Sequence, residues 1–232
     1  MNDLKDSVAA VIPVYNPEPA LLELCRRLVE IFAVVVVVDD GSVEDRGRFA
    51  TLSGVKLLTH SVNRGKGAAI KTAFGFLMNK CPNIKTAVFV DGDGQHRIED
   101  AVSVASAALE GDCVALGYRK FGKNVPFRSR FGNFWTSIWT WLFLGMFLRD
   151  TQTGLRAIPS RLFQEMLTFE EDGFAYEMRL WGFVRRHHEK LRQLPIETIY
   201  IESNRTSHYD PWRDTCRVYK VLLSDSLRRL GL

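Results

Sequence analysis

Residues 33–38, Ala-Val-Val-Val-Val-Val, constrain the fold of this chain more than any other stretch. β-Branched side chains crowd a helix but pack well on a pleated sheet. A strand with one wet face would alternate apolar and polar residues. This one does not, so both of its faces must be covered. Shorter apolar runs at 8–14 and 86–90 read the same way, a weaker strand is expected at 55–59 and another strand at 113–117. Between them, 19–31, 66–79 and 98–109 carry helical apolar spacing, as in Leu21, Leu24, Leu28 and Ile31. Strands alternating with helices predict an α/β fold with a mostly parallel central sheet flanked by helices.

The second half is less regular. Helices are expected at 161–167 and 173–188, short strands at 191–196 and 198–202, and a basic helix at 211–230. With 232 residues and 46% hydrophobic content, the chain can build one sizeable core. A net charge of +4 does not point to nucleic acid. The four cysteines, Cys25, Cys81, Cys113 and Cys216, form no CxxC pair, which fits reduced thiols and a cytoplasmic setting. The polar N-terminus is expected to lead straight into the first strand and has no signal-peptide pattern.

In open parallel sheets, ligands bind beyond the carboxyl ends of the strands. Three predicted strand ends carry polar clusters: Pro13-Val14-Tyr15-Asn16, Asp39-Asp40-Gly41-Ser42 and Asp91-Gly92-Asp93-Gly94-Gln95-His96. Asp91 and Asp93 flank a glycine that lets the backbone approach a ligand closely. Two carboxylates so placed can share one metal–phosphate site. Hard cations such as Mg²⁺ or Mn²⁺ take oxygen ligands, and Gln95 adds a neutral one. His96 is either a further ligand or a support behind the ligands. Asp40 can accept hydrogen bonds from a base edge or a ribose hydroxyl, and Ser42 can cap the turn that follows it. Asn63-Arg64-Gly65-Lys66-Gly67 opens a helix, where a helix N-terminus and Lys66 suit an anion. A P-loop and a Rossmann fingerprint are both excluded by spacing.

Together these words, in this order and spacing, resemble family 2 of the glycosyltransferases, of the GT-A fold. Gly117-Tyr118-Arg119, the segment from Asp150 to Arg156, and Asn204-Arg205-Thr206-Ser207-His208 are similar to the dolichol-phosphate mannosyltransferase branch. The resemblance implies a single GT-A domain, with 1–120 binding the nucleotide-sugar and 121–232 the acceptor and membrane. It implies that Pro13, Tyr15, Val38 and Asp40 hold the nucleoside. Asp91, Gly92 and Asp93 would hold the sugar diphosphate and the metal, with Asp93 and Gln95 as ligands. Arg119 and Arg205 would contact diphosphate or acceptor phosphate. The chain departs from the branch at Pro17, where Glu is usual, and at His208, the nearest equivalent of a usual Lys.

Residues 131–148 hold 18 uncharged residues, with Trp135, Trp139 and Trp141 among them, bracketed by Arg128, Arg130 and Arg149. The length is at the lower edge for a membrane span. Asn133, Thr136, Ser137 and Thr140 form a polar stripe, so an interfacial helix or a buried core helix fits better. Arg128 and Arg130 are then candidates for an acceptor lipid phosphate. If the acceptor is a polyprenyl phosphate, it is already ionised. A saccharide hydroxyl would need a base, for which Asp150 is the candidate. A non-catalytic nucleotide-sugar scaffold and a nucleotidyltransferase are the competing classes.

Overall fold

The computed structural model describes residues 2–119, 137–138, 140–151, 153–173 and 175–197. The strand expected at 198–202, the helix at 211–230, and Arg128, Arg130, Trp135, Trp139 and Arg205 lie outside the described residues.

Seven strands form one sheet: β1 Val8–Val14, β2 Val34–Asp39, β3 Lys56–Thr59, β4 Thr86–Phe89, β5 Val114–Arg119, β6 Arg156–Pro159 and β7 Leu191–Ile196. Their spatial order is β3-β2-β1-β4-β6-β5-β7. Every pairing is parallel except those of β6, which runs antiparallel between β4 and β5. The helices are α1 Asn2–Ser7, α2 Ala20–Ile31, α3 Lys66–Lys80, α4 Ile98–Gly111, α5 Phe163–Met166 and α6 Ala175–Arg186.

The valine run explains itself in this frame. Val36 and Val38 pack with α3, α5 and α6 through Phe74, Leu77, Phe163 and Trp181. Val35 and Val37 pack on the other face with α2 and α4 through Leu21, Leu28 and Val104. Successive side chains enter two cores, so the strand is apolar at every position.

Three expectations are corrected. The polar N-terminus does not run straight into β1 but forms α1, because Leu4 can be buried there. At 161–167 the helix is shorter: a 3₁₀ turn at Ser160–Leu162 leads into the single turn of α5. The apolar segment is helical at 137–138 and 140–144 but not through Leu148. Its last helical bond joins the Gly145 amide to the Trp141 carbonyl, and Gly145 then turns out at φ 64°.

Candidate active site

The parallel strands place Val14, Asp39, Asp91 and Arg119 along one edge of the sheet, at or just past their carboxyl ends. Because β6 is antiparallel, its start lies at this same edge, with Arg156 paired to Phe89 of β4 and to Leu116 of β5. Residues 153–156, which lead into β6, are thereby carried to this edge, with Gly154 against Asp91.

Asp91 is the centre of a charged network. Lys66 Nζ lies 2.8 Å from Asp91 Oδ1 and 3.1 Å from Glu177 Oε1. Arg156, itself buried, pairs with the same Glu177 oxygen. His96 Nε2 donates to Asp91 Oδ2 at 3.3 Å, and its buried Nδ1 has no hydrogen-bond partner among the described residues. Burial alone would raise the Asp91 carboxyl, but Lys66 and His96 together hold it well below the usual carboxylate range. Burial works against the Lys66 ammonium, and Asp91 and Glu177 outweigh it, so its pKa is raised. Gly154 lies directly against the Asp91 carboxylate, where any added methyl would overlap its oxygens.

Asp93 behaves differently. Burial, and then the neighbouring charge of Asp91, raise its pKa. Its Oδ1 accepts the Gln95 amide at 3.0 Å. Two crowded carboxylates, one of them pushed toward protonation, form a site that a bound cation relieves. Asp91, Asp93 and the side-chain carbonyl oxygen of Gln95 make an all-oxygen set suited to Mg²⁺ or Mn²⁺. Among the described residues no three His, Cys, Asp or Glu side chains gather around one point. A small protein set of this kind leaves coordination positions for substrate phosphates and water.

A second cluster lies two strands away. Arg119 Nε and Nη2 donate to Asp150 Oδ2 and Oδ1 at 2.6 and 3.0 Å, and the Arg119 amide donates to Oδ2 at 3.2 Å. Asp150 is fully buried. The expected base is therefore placed as the bidentate partner of Arg119, with both oxygens committed to it.

Asp40 is buried as well. Its Oδ1 accepts from His60 Nδ1 at 2.7 Å and the Arg64 amide at 3.0 Å, and its Oδ2 from the Gly65 amide at 2.7 Å. His60 Nε2 in turn accepts from the Thr72 hydroxyl at 2.8 Å. In this structure Asp40 holds the loop that delivers Lys66. Val38 is wholly buried in the core, so its side chain offers no surface to a nucleoside. Pro13 and Tyr15 remain part-exposed at the edge. Ser42 does not cap its own turn; its hydroxyl accepts the Asn16 amide at 2.8 Å. Asn16, at φ 56°, accepts the amides of Val43 and Glu44 through Oδ1 and so ties the first two edge loops together. Gly92 serves packing, since a methyl there would press on Val14 at 3.1 Å. The start of α3 is not open to an anion at Ala68, whose amide donates to the Asp172 carbonyl at 3.0 Å.

Glu177 and His60 were not expected at the site, and Asn16 and Arg156 were named only within their motifs. No local pattern marks Glu177, because the burial of the whole stretch 175–184 is set by the fold.

The apolar segment buries its described polar residues and Leu144, and exposes other apolar ones. Ser137 and Thr140 are buried, while Trp141, Leu142 and Phe147 are each more than half exposed. Among the described residues no helix is long and apolar enough to cross a membrane.

Comparison with known proteins matches residues 9–168 to the model of "Glycosyl transferase family 2". The chain is 33% identical over 205 residues to an uncharacterised protein of Methanocaldococcus jannaschii, covering 85% of this chain and 84% of that one. It is 27% identical to the UDP-N-acetylglucosamine–dolichyl-phosphate N-acetylglucosaminyltransferase of Methanococcus voltae, over 83% of this chain and 85% of that one. It is 25% identical to the dolichyl-phosphate hexose transferase of Haloferax volcanii, over 96% and 97% of the two chains. Glucosyl-3-phosphoglycerate synthase of Mycobacterium tuberculosis, solved with Mn²⁺, UDP and phosphoglyceric acid, superposes with a TM-score of 0.69 at 18% identity, covering 99% of this chain and 80% of that one. That likeness shows the shared GT-A fold.

Proposed function

The chain belongs to glycosyl transferase family 2 and is a glycosyltransferase, and on that premise we propose that it moves a sugar from a nucleotide diphosphate to a polyprenyl phosphate at a membrane surface. The observation that carries this reading is the state of the site carboxylates. Asp91 is paired with Lys66, Asp150 with Arg119, and Glu177 with Arg156 and Lys66, while Asp40 is turned into its own loop. Asp93, crowded by Asp91, is assigned to the cation, whose charge would occupy it. A hydroxyl acceptor needs a base to take its proton. An ionised phosphate needs none. The names of the Methanococcus voltae and Haloferax volcanii relatives support the same acceptor class.

The reaction so read inverts the anomeric carbon. An acceptor phosphate oxygen forms the new bond from one face. The bond to the donor diphosphate breaks on the other, and its electron pair stays with the departing oxygen. Asp91, Asp93 and Gln95 would hold a Mn²⁺ or Mg²⁺ ion, whose contribution is to neutralise charge on that diphosphate. Lys66 adds positive charge beside Asp91, and Arg119, aimed by Asp150, adds it two strands away. Pro13 and Tyr15 flank the nucleoside in this reading, and Asp40 shapes that pocket through the 60–65 loop. Arg205, Arg128 and Arg130 are assigned to phosphate contacts on the acceptor side.

Exposed Trp141, Leu142 and Phe147 form the surface that rests on the lipid, in a peripheral protein on the cytoplasmic face. The test is turnover across UDP-, GDP- and CDP-sugars with Mn²⁺ or Mg²⁺, with and without polyprenyl phosphate. Metal-dependent transfer that requires the lipid phosphate is expected. Transfer to a saccharide hydroxyl without it would overturn the acceptor assignment.

A further inference from the structure

The position of Lys66 carries a consequence for how the donor site is loaded, and it rests on the donor-site reading above. The ammonium sits between Asp91 and Glu177, at 2.8 and 3.1 Å. It therefore neutralises one of the two carboxylates assigned to the divalent cation before any cation arrives. We propose that Lys66 is a resident counter-cation that competes with the metal for Asp91, so that the metal is held tightly only together with the donor diphosphate.

The charges support this order. Lys66 and Arg156 stand against Asp91 and Glu177, and Asp93 when ionised adds one negative charge to the cluster with His96 neutral. A divalent ion alone would reverse the sign in a part-buried site and would face the Lys66 ammonium across Asp91. A nucleotide-sugar diphosphate brings two negative charges and removes that penalty. Lys66 does not have to leave for this to happen. Glu177, anchored by Arg156, holds it on the far side, and its flexible four-carbon stem allows a short swing from Asp91 toward the diphosphate. The sequence places Lys66 at the first position of α3, where Gly65 at φ 98° and the Asp40 carboxylate fix the approach of its backbone.

The coupling is reciprocal, so it can be read from metal binding without turnover. Mn²⁺ binding to the full chain is followed by the electron paramagnetic resonance signal of free Mn²⁺, first without nucleotide and then with UDP or GDP. Wild type is expected to bind Mn²⁺ weakly alone and more tightly with the matching nucleotide. K66M is expected to bind Mn²⁺ alone about tenfold more tightly than wild type, within the usual range for coupled sites, and to gain less from nucleotide. K66R, which keeps the charge, is expected to behave as wild type does. K66Q carries the same expectation as K66M should that variant fail to fold. Folded K66M or K66Q binding nucleotide-free Mn²⁺ no more tightly than wild type would overturn the proposal while leaving the donor-site reading intact. Wild type that binds no Mn²⁺ with either nucleotide would overturn the donor-site reading itself.

Discussion

At the scale of single residues, the site depends on small side chains and paired charges more than on exposed ligands. Gly154 touches the Asp91 carboxylate so closely that a methyl group has no room. Gly154→Ala should displace Asp91 and reduce turnover about a hundredfold, the usual cost of misplacing a reacting group by an ångström. Steady-state kinetics on the folded variant checks this. Asp150 offers a second test. Asp150→Asn leaves the Arg119 guanidinium without its buried anion and should lower stability by about 3–5 kcal/mol. If Asp150 orients Arg119, the variant keeps the shape of the pH–rate profile at reduced height. A variant profile that loses a pH-dependent limb would restore Asp150 as a base.

The same residues show what could be read in advance. Asp91, Asp93 and Lys66 were legible because strand ends and a helix start carry them, and local patterns mark both. Glu177 and Arg156 were not, because their meaning is a pairing across 21 residues that only the folded chain creates. Val38 makes a related point: a motif word gives a position, while burial decides which atoms can face a ligand.

Among the elements, the strands buried on both faces were plain in the sequence, and β6 was not. Arg156-Ala157-Ile158-Pro159 contains an arginine and a proline and is too short for any periodicity. It survives in mid-sheet because Arg156 finds Glu177 and because Pro159 stands at the strand's end. The apolar helix was legible in composition but not in orientation. Gly145 marks its end in the manner common to helix C-termini. Ser137 and Thr140 are buried, with the Thr140 hydroxyl donating to the Ser137 carbonyl at 2.9 Å. Trp141→Glu combined with Phe147→Glu should therefore abolish sedimentation with anionic vesicles while leaving Tm nearly unchanged, since both positions are exposed. Undiminished sedimentation by the folded variant would remove the membrane assignment from this surface.

For the whole molecule, the Asp91 network ties α3, β4, β6 and α6 together at one edge of the sheet. Its effect on stability has a definite sign. The Asp91 carboxyl is depressed in the folded state, so its pairing stabilises the fold above its ordinary pKa of 3.8 and is lost as pH falls through the lower folded value. Asp91→Asn should lower Tm at neutral pH, and the gap from wild type should narrow only below the ordinary carboxylate range. Thermal melts of the two proteins across the acid range measure it. A gap that closes between pH 7 and 5 would mean that another group sets the coupling. The central claim is that the Asp91 and Asp93 edge drives sugar transfer to a lipid phosphate. It is tested most directly by incubating labelled nucleotide-sugar with polyprenyl phosphate and Mn²⁺, and counting label extracted into the lipid phase for wild type and Asp93→Ala. The account predicts label in the lipid phase with wild type, none with chelator, and none with the folded Asp93→Ala variant. Equal labelling by the variant would contradict it.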